Sequence, residues 1–565
     1  MKVLTRDLIH DLIPVMPAGH GQAPRDGGLL WPRNVGTTSR GRRPACGPNR
    51  SRRKRRFYIG NPYRNDKPCD LPGGRTSWLL AICFSIVASF TFTLSGCALV
   101  PPPTSQAKPI ATPAFRETLR VGGVAASVEW PRLDWWTDFQ NPGLDRLITV
   151  ALQDNPNLKL TATRVREAQA LADFRKGVLL PSADVQMSLA GQRFSANSTQ
   201  SKLAGEEFAH AIVNPLSLRY HLDFWGRDSA SLKAALGAKR ARGAELAQAR
   251  VLLSTAVAKT YFRLVTVTEK LVLAQAMSAT LREGLRVAEV RLRTGLDSQI
   301  PRSQVRVKLE TALQQEAATR AEMEILRDQL AALAGQGPDW GRHVEVTPSD
   351  LPEQVHIPEN LPLRLLVHRP DLVAARERAG AAAEEIKVAK TAFYPDINLV
   401  GFAGLDSVAL PELFFNATSA AFAFSPVLQL PIFQGGRLEA NLKATEAAYD
   451  AAVESYNGTL LRAVQEVADA LARWREAEAR LGSQRQATAS ALENLRLVKT
   501  NHALGLNPRG PVLDAGLAVQ EQSFLQKGLE AEQFQAAIQL IEALGGGYVN
   551  PNEEKHATTN SSKKD

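Results

Sequence analysis

The sequence predicts a mainly α chain with a small membrane β part, in which long helical hairpins and short strand pairs are built twice over. Three observations predict it. The same punctuation recurs at the same spacing in two halves, period-two apolar alternation interrupts each half once, and Ala-rich, charge-dotted helical segments fill the rest.

The duplication is read from proline and glycine. Asn155-Pro156-Asn157-Leu158 opens a helix that stops before Leu180-Pro181, and Arg369-Pro370-Asp371-Leu372 opens another that stops before Tyr394-Pro395. Each pair of prolines is 25 residues apart. Proline suits both ends, since its fixed φ favours a first turn and its missing N–H ends a helix. Gly226-Arg227 recurs as Gly436-Arg437, each with a lysine six residues on, Lys233 and Lys443. From each arginine to the glycine of a Gly-Leu break, Gly295-Leu296 or Gly505-Leu506, is 68 residues. The repeats are placed at 130–345 and 346–547, with a polar tail over 548–565.

Between the paired prolines and the Gly-Arg steps the period changes to two. Leu216, Leu218, Tyr220, Leu222 and Phe224 alternate with polar residues, as do Val185, Met187 and Leu189. The second half answers with Ile397 and Leu399, then with Phe422, Phe424, Leu428, Leu430 and Ile432. Strands are therefore expected at about 183–193, 213–225, 396–405 and 421–433, four per chain. A small soluble sheet packed on helices is the alternative.

Helices are expected over 227–292, 301–333, 437–504 and 511–544. The longest would reach about 100 Å at about 1.5 Å per residue, too long for one compact fold. Leu460, Val464, Val467, Leu471 and Trp474 step by four and three, a coiled-coil seam that reads as packing. Four strands cannot close a barrel in lipid, where an open edge costs several kcal/mol per unpaired backbone group. Two chains would supply about 8 strands and three about 12, and the residues leave the number open.

Upstream, Arg75 precedes an apolar run, Trp78–Leu94, that ends in Leu94-Ser95-Gly96-Cys97. A charged start, an apolar middle and small residues before a processing point read as a secretory signal over 75–96. An uncleaved membrane anchor is the alternative. Residues 97–129 form a Pro-rich tether, with Pro101-Pro102-Pro103, Pro109 and Pro113. Residues 1–74, which include Arg52-Arg53-Lys54-Arg55-Arg56, have no helical or strand period and read as a leader upstream of the true start.

The net charge of +11 lies entirely in this upstream part. Residues 1–96 hold 16 basic and 5 acidic side chains, and the remaining chain holds 52 of each, so no nucleic-acid partner is expected. All four cysteines, Cys46, Cys69, Cys83 and Cys97, lie at or before the processing point, which excludes disulfide staples and Cys-ligated metal from the mature body.

No His-Glu-x-x-His, Gly-x-Ser-x-Gly, P-loop or dinucleotide turn is present. His221 reads as part of a solvated strand face, His210 as a loop residue, and Glu384-Glu385 as helix surface. No enzyme activity, no metal and no cofactor beyond a covalent lipid are expected.

Together these residues resemble the TolC-type outer membrane factors, most closely the NodT-like lipoprotein subfamily of resistance–nodulation–division efflux systems. The resemblance covers about 130–547. It rests on the Leu-Ser-Gly-Cys lipobox, Trp135-Trp136-x-x-Phe139-x-Asn141-Pro142-x-Leu144, the duplicated Pro-x-Leu openings and the twin Gly-Arg strand-to-helix junctions.

It implies a homotrimer whose duplicated hairpins form a periplasmic α-barrel and whose strands share a 12-stranded outer-membrane barrel. It further implies lipidation of Cys97, with Ala98 favouring the outer membrane, and docking on a periplasmic adaptor and an inner-membrane efflux pump. The implied function is a conduit that exports drugs or other small toxic compounds without catalysis. Type I protein secretion and a lipid-anchored coiled-coil spacer are the alternatives.

By the same resemblance, Gly295, Leu296, Gly505 and Leu506 form periplasmic tip turns, and Leu513-Asp514 supplies a channel constriction. Asp514 has a second reading, a carboxylate in the first turn of a helix opened by Pro511. Leu292 and His502 replace a usual aromatic, and Asn507-Pro508-Arg509-Gly510-Pro511 is an unusually Pro-rich tip.

Overall fold

The computed structural model describes residues 100–110, 131–193, 195, 197, 207–347, 368–407 and 417–550. Every described residue belongs to one compact unit, 84–565. The basic leader, the signal segment, Cys97 and the tail from 551 lie outside the described residues. Among the described residues no helix is long and apolar enough to cross a membrane.

A 3-10 turn at Trp135–Phe139 leads into α1 (Pro142–Asp154) and α2 (Pro156–Val178). Then come β1 (Ser182–Arg193), β2 (Glu207–His221), α3 (Arg227–Arg293), α4 (Gln299–Leu333) and the short α5 (Pro338–Gly341). The second half runs α6 (Pro370–Thr391), β3 (Asp396–Ser407), β4 (Ala420–Gln429), α7 (Arg437–Ala503) and α8 (Arg509–Ala543). The duplication is exact for the long rods: α3 and α7 each have 67 residues, and α4 and α8 each have 35. Pro156 and Pro370 occupy first-turn positions, as their missing N–H requires.

The four strands form one antiparallel sheet in the order β1-β2-β3-β4. Several strand ends differ from expectation, and β3 runs two residues further, to Ser407. β2 stops at His221 because residues 222–226 turn into α3, and β4 stops at Gln429 ahead of Pro431, which has no N–H to donate. β2 also begins earlier, at Glu207, so His210 lies in a strand and not a loop. Pro215 is accommodated where the β2–β3 register shifts between Val213 and Leu216.

The two repeats meet in an aromatic core. Phe262 of α3 is fully buried, stacked on Phe534 of α8 at 5.0 Å and tilted against Phe139 at 5.1 Å. Trp135 closes the cluster edge-on to Phe139, and the Tyr261 hydroxyl donates to Asn141 Oδ1 at 3.1 Å. A second cluster buries Leu460, Val464, Val467 and Leu471, the first four residues of the expected seam, against Leu540 and Leu544. Trp474 lies outside it.

The repeats are closed by one clasp made with different chemistry. Asn155 Nδ2 donates to the Leu333 carbonyl at 3.0 Å, at the end of α4, while its Oδ1 caps α2 through Asn157 and Leu158. In the second repeat Arg369 Nη1 donates to the Ala543 carbonyl at 2.7 Å, at the end of α8. Its other nitrogens hold Asp371 at 2.8 Å and Glu466 at 2.7 Å.

The Pro-rich segment is more than a loose tether. Residues 100–110 lie along α7, where Glu446, Asp450 and Asn457 present one face. Glu446 accepts from the Thr104 N–H and hydroxyl, Asp450 from the Ser105 hydroxyl at 2.6 Å, and Asn457 Oδ1 from the Ile110 N–H at 2.9 Å. Those bonds, the Ser105 hydroxyl foremost, hold the Asp450 carboxyl below its ordinary range. Proline-rich backbone cannot pair with itself, so side chains of the helix satisfy it.

Candidate functional site

Three surfaces carry the residues singled out by the sequence: the strand-to-helix junctions, the far tips, and the flanks left without an in-chain neighbour.

At the junctions, Gly226 (φ 74°) and Gly436 (φ 78°) both take the left-handed conformation, the last step of a short turn from strand into a 67-residue helix. Arg227 and Arg437 are the first helical residues, and their partners differ. Arg227 Nη1 reaches Asp396 Oδ2 at 3.3 Å, and Arg437 Nη2 donates to Gln434 Oε1 at 2.9 Å.

The first junction is the more polar. His221 is not on a solvated face, because the reversal at Gly226 folds the start of α3 over it, leaving its side chain 21% exposed. Its Nδ1 contacts Asp228 Oδ2, and its Nε2 lies 3.4 Å from Asp396 Oδ1. Asp223 accepts from the Asp228 N–H at 3.0 Å, the Ser229 N–H at 2.9 Å and the Ser229 hydroxyl at 2.7 Å. Burial pushes the Asp223 carboxyl up, but these hydrogen bonds outweigh it and hold it below the ordinary value. Period-two reasoning missed this cluster because its members come from three elements. The only local signal was a His-x-Asp ahead of Gly-Arg-Asp.

At the tips, the two Gly-Leu breaks have one backbone solution. Gly295 (φ 72°) and Gly505 (φ 74°) are left-handed, and Leu296 N–H and Leu506 N–H return to the carbonyls of Arg291 at 2.8 Å and Asn501 at 2.9 Å. This is the glycine stop that satisfies the last carbonyls of a helix. Leu296 and Leu506 are left exposed. The side-chain clamps differ: Arg291 Nε holds Asp297 at 2.5 Å in the first tip, and His502 Nδ1 meets the Asn507 carbonyl at 2.7 Å in the second. The Arg291 guanidinium holds the Asp297 carboxyl below its ordinary range.

α8 begins at Arg509 and not at Pro511, so Asp514 is the sixth helical residue, beyond the turn where a carboxylate serves the helix dipole. Asp514 is exposed and Leu513 half-buried. The tips of the two repeats are linked by Arg509 Nη2 and Glu283 Oε1 at 3.2 Å.

The flanks show what the chain lacks. Among the described residues α3 packs against α1, α2, α4, α6 and α8, whereas the helices that pack on its counterpart α7 are α6 and α8, with the strap of residues 100–110 alongside. The unpaired faces on α2 and α4 expose Leu171, Phe174, Val307 and Ile325, and α7 exposes Leu461, Leu492 and Leu497. Among the described residues the sheet has two free edges, β1 and β4, and it exposes Val185, Met187, Leu189, Phe422, Phe424 and Leu428. An apolar sheet face of this kind, next to unpaired edges, belongs in lipid as part of a closed barrel.

The comparisons agree with this geometry. The family model for outer membrane efflux proteins matches residues 147–336 and 361–546, one segment in each repeat. The multidrug resistance outer membrane protein MdtP of Escherichia coli O6:H1 is 32% identical over 492 residues, covering 83% of this chain and 96% of MdtP. The fusaric acid resistance protein FusA of Burkholderia cepacia is 32% identical over 364 residues, covering 64% of this chain and 68% of FusA. The crystal structure of the outer membrane protein VceC of Vibrio cholerae aligns with a TM-score of 0.67 at 30% identity, covering 74% of this chain and 99% of VceC. The Campylobacter jejuni CmeC outer membrane channel shares the fold, with a TM-score of 0.69 at 20% identity over 82% of this chain and 98% of CmeC. The chain belongs to the outer membrane efflux protein family, channel proteins of the outer membrane that form the exit duct of tripartite efflux pumps.

Proposed function

We propose that three copies of this chain assemble head to tail into a 12-stranded barrel continued by a helical tunnel, and that this duct exports drugs or other small toxic compounds. The observation that carries it is the missing half of α7's surroundings. Within the chain, α3 is flanked by α6 and α8 of the other repeat. The duplication assigns the same role on α7 to α2 and α4 of a neighbouring copy, and it assigns β4 the edge of that copy's β1. Three copies of four strands give about 12, enough for a channel, whereas about 8 leave an interior filled by side chains. The partners are a periplasmic adaptor and an inner-membrane pump that supplies the energy. Deleting the gene tests the reading: susceptibility to a panel of toxic compounds should rise, and unchanged susceptibility with the partner pump induced would overturn it.

Lipidation of Cys97 is the second part of the proposal. Val100 packs against Phe393 and Leu442 beside the strand-to-helix junctions. Three residues span at most about 10 Å, which supports a lipid on Cys97 as an anchor at the same end of the body as Val100. The barrel should nonetheless hold the body alone. Cys97→Ala, given another cleavable signal, should still yield outer-membrane oligomers in fractionation, and a soluble monomer would contradict it.

Asp514 is proposed as a constriction residue, supported by its exposure near the tip and its place beyond the first turn of α8. Three like charges around a narrow axis favour cations. Asp514→Ala should lower cation preference and alter single-channel conductance in planar bilayers. Unchanged values would rule the ring out.

A further inference from the structure

We propose that His221, Asp223 and Asp228 form a divalent transition-metal site, best matched to zinc, that ties the end of β2 to the first turn of α3. Among the described residues these three bring one imidazole nitrogen and two carboxylate oxygens within 4.8 Å of one another. A neutral imidazole with carboxylates is a donor set for zinc and its neighbours, whereas magnesium and calcium prefer oxygen alone.

The donors are held in place before any ion arrives. The Leu222 N–H donates to the Ile397 carbonyl at 2.9 Å and fixes the end of β2 on β3. Asp223 is oriented by its three bonds to the start of α3: Oδ2 accepts two of them and Oδ1 one, which leaves Oδ1 a lone pair for an ion. Trp225 braces the turn by stacking on Tyr394 at 5.0 Å and donating Nε1–H to the Pro395 carbonyl at 2.7 Å.

The outer partner of a metal-bound histidine is also present. With Nδ1 on the ion beside Asp228, the remaining Nε2–H faces Asp396 Oδ1 at 3.4 Å, the carboxylate–histidine arrangement that fixes the tautomer of a ligating imidazole. Binding replaces the His221–Asp228 contact, and any proton shared there leaves to solvent. A cavity of about 250 Å³ lined by His221, Asp223 and Asp396 gives the ion an entry path and room for a water as fourth ligand.

Charge favours the same reading. Asp223, Asp228 and Asp396 bring three carboxylates to the cluster, against the two guanidinium groups, Arg227 and Arg437, that line the cavity.

The duplication supplies an internal control. Aligned on the Gly-Arg steps, the positions of His221, Asp223 and Asp228 are Pro431, Phe433 and Leu438 in the second repeat. Aligned on Pro181 and Pro395, the position of Asp396 is Ser182 in the first. The second junction makes the same left-handed turn into a 67-residue helix without any of these groups, so the fold does not require them.

The test uses untagged, full-length protein in detergent, stripped with chelator and dialysed against zinc chloride with excess magnesium. Elemental analysis should find one zinc per chain. His221→Gln, which can still bond to Asp228, and Asp228→Asn should each weaken zinc binding at least tenfold. Asp396→Asn should keep the stoichiometry with an affinity about 10-fold to 100-fold lower. Zinc should also raise the thermal midpoint of the parent protein and not that of His221→Gln. Absence of bound zinc in the parent, or equal retention by the parent and His221→Gln, would overturn the site.

Discussion

Phe262→Ala is expected to cost about 3–5 kcal/mol, the range for emptying a buried aromatic site. The site cannot easily collapse, because it is shared by three parts of the chain. Phe262 lies between Phe534 from the other repeat and Phe139 from the entry turn, with Tyr261 edge-on beside it. Each ring pair adds about 0.5–1.5 kcal/mol beyond the area it buries. The loss should appear as a lower midpoint in thermal unfolding of the detergent-solubilised oligomer. Phe262→Leu should lose less, since it leaves a smaller void. A midpoint within error of the parent for Phe262→Ala would mean that the repeats do not depend on this core.

The second large effect is expected at Arg369. Its guanidinium, with the side chain only 5% exposed, holds Asp371, Glu466 and the last carbonyl of α8 at once. Burial alone would lower its pKa, but the two carboxylates more than compensate and keep it charged. Removing it strands two carboxylates and a helix-end carbonyl. Breaking a fully buried pair costs about 3–5 kcal/mol, and because Glu466 is 46% exposed the estimate drops to about 2–4 kcal/mol for Arg369→Ala. Asn155→Ala, the counterpart clasp, loses a neutral cap and should cost about 1–2 kcal/mol. Denaturant melts of the two variants check the order. A larger loss at Asn155 would mean that the charged clasp contributes little.

These two sites show what the sequence could and could not reveal. The long rods and four strands are legible because each depends on local features: prolines at first turns, left-handed glycines, and a period of two or 3.6. Residues 227 and 437 mark helix starts in both halves, and the Gly-Leu breaks mark both tips. The clasps were half-legible. Asn155 announces a cap, but nothing near Arg369 shows that it will reach Ala543.

From sequence the strap along α7 reads as a free tether, because its partners, Glu446, Asp450 and Asn457, lie more than 340 residues away. His221 was misplaced for the same reason. Alternation in β2 assigns it a face, but only the reversal at Gly226 determines what covers that face. Pairings between distant segments are set by topology, and a single sequence carries no local trace of them.

Each chain is proposed to be an incomplete wall that neighbouring copies complete. Among the described residues α7 lacks counterparts of the α2 and α4 that flank α3, and β1 and β4 are free edges. The mass of the detergent-solubilised particle, corrected for bound detergent, tests this most directly. Three chains per particle is the predicted result. A stable monomer, or a particle of two chains, would contradict it.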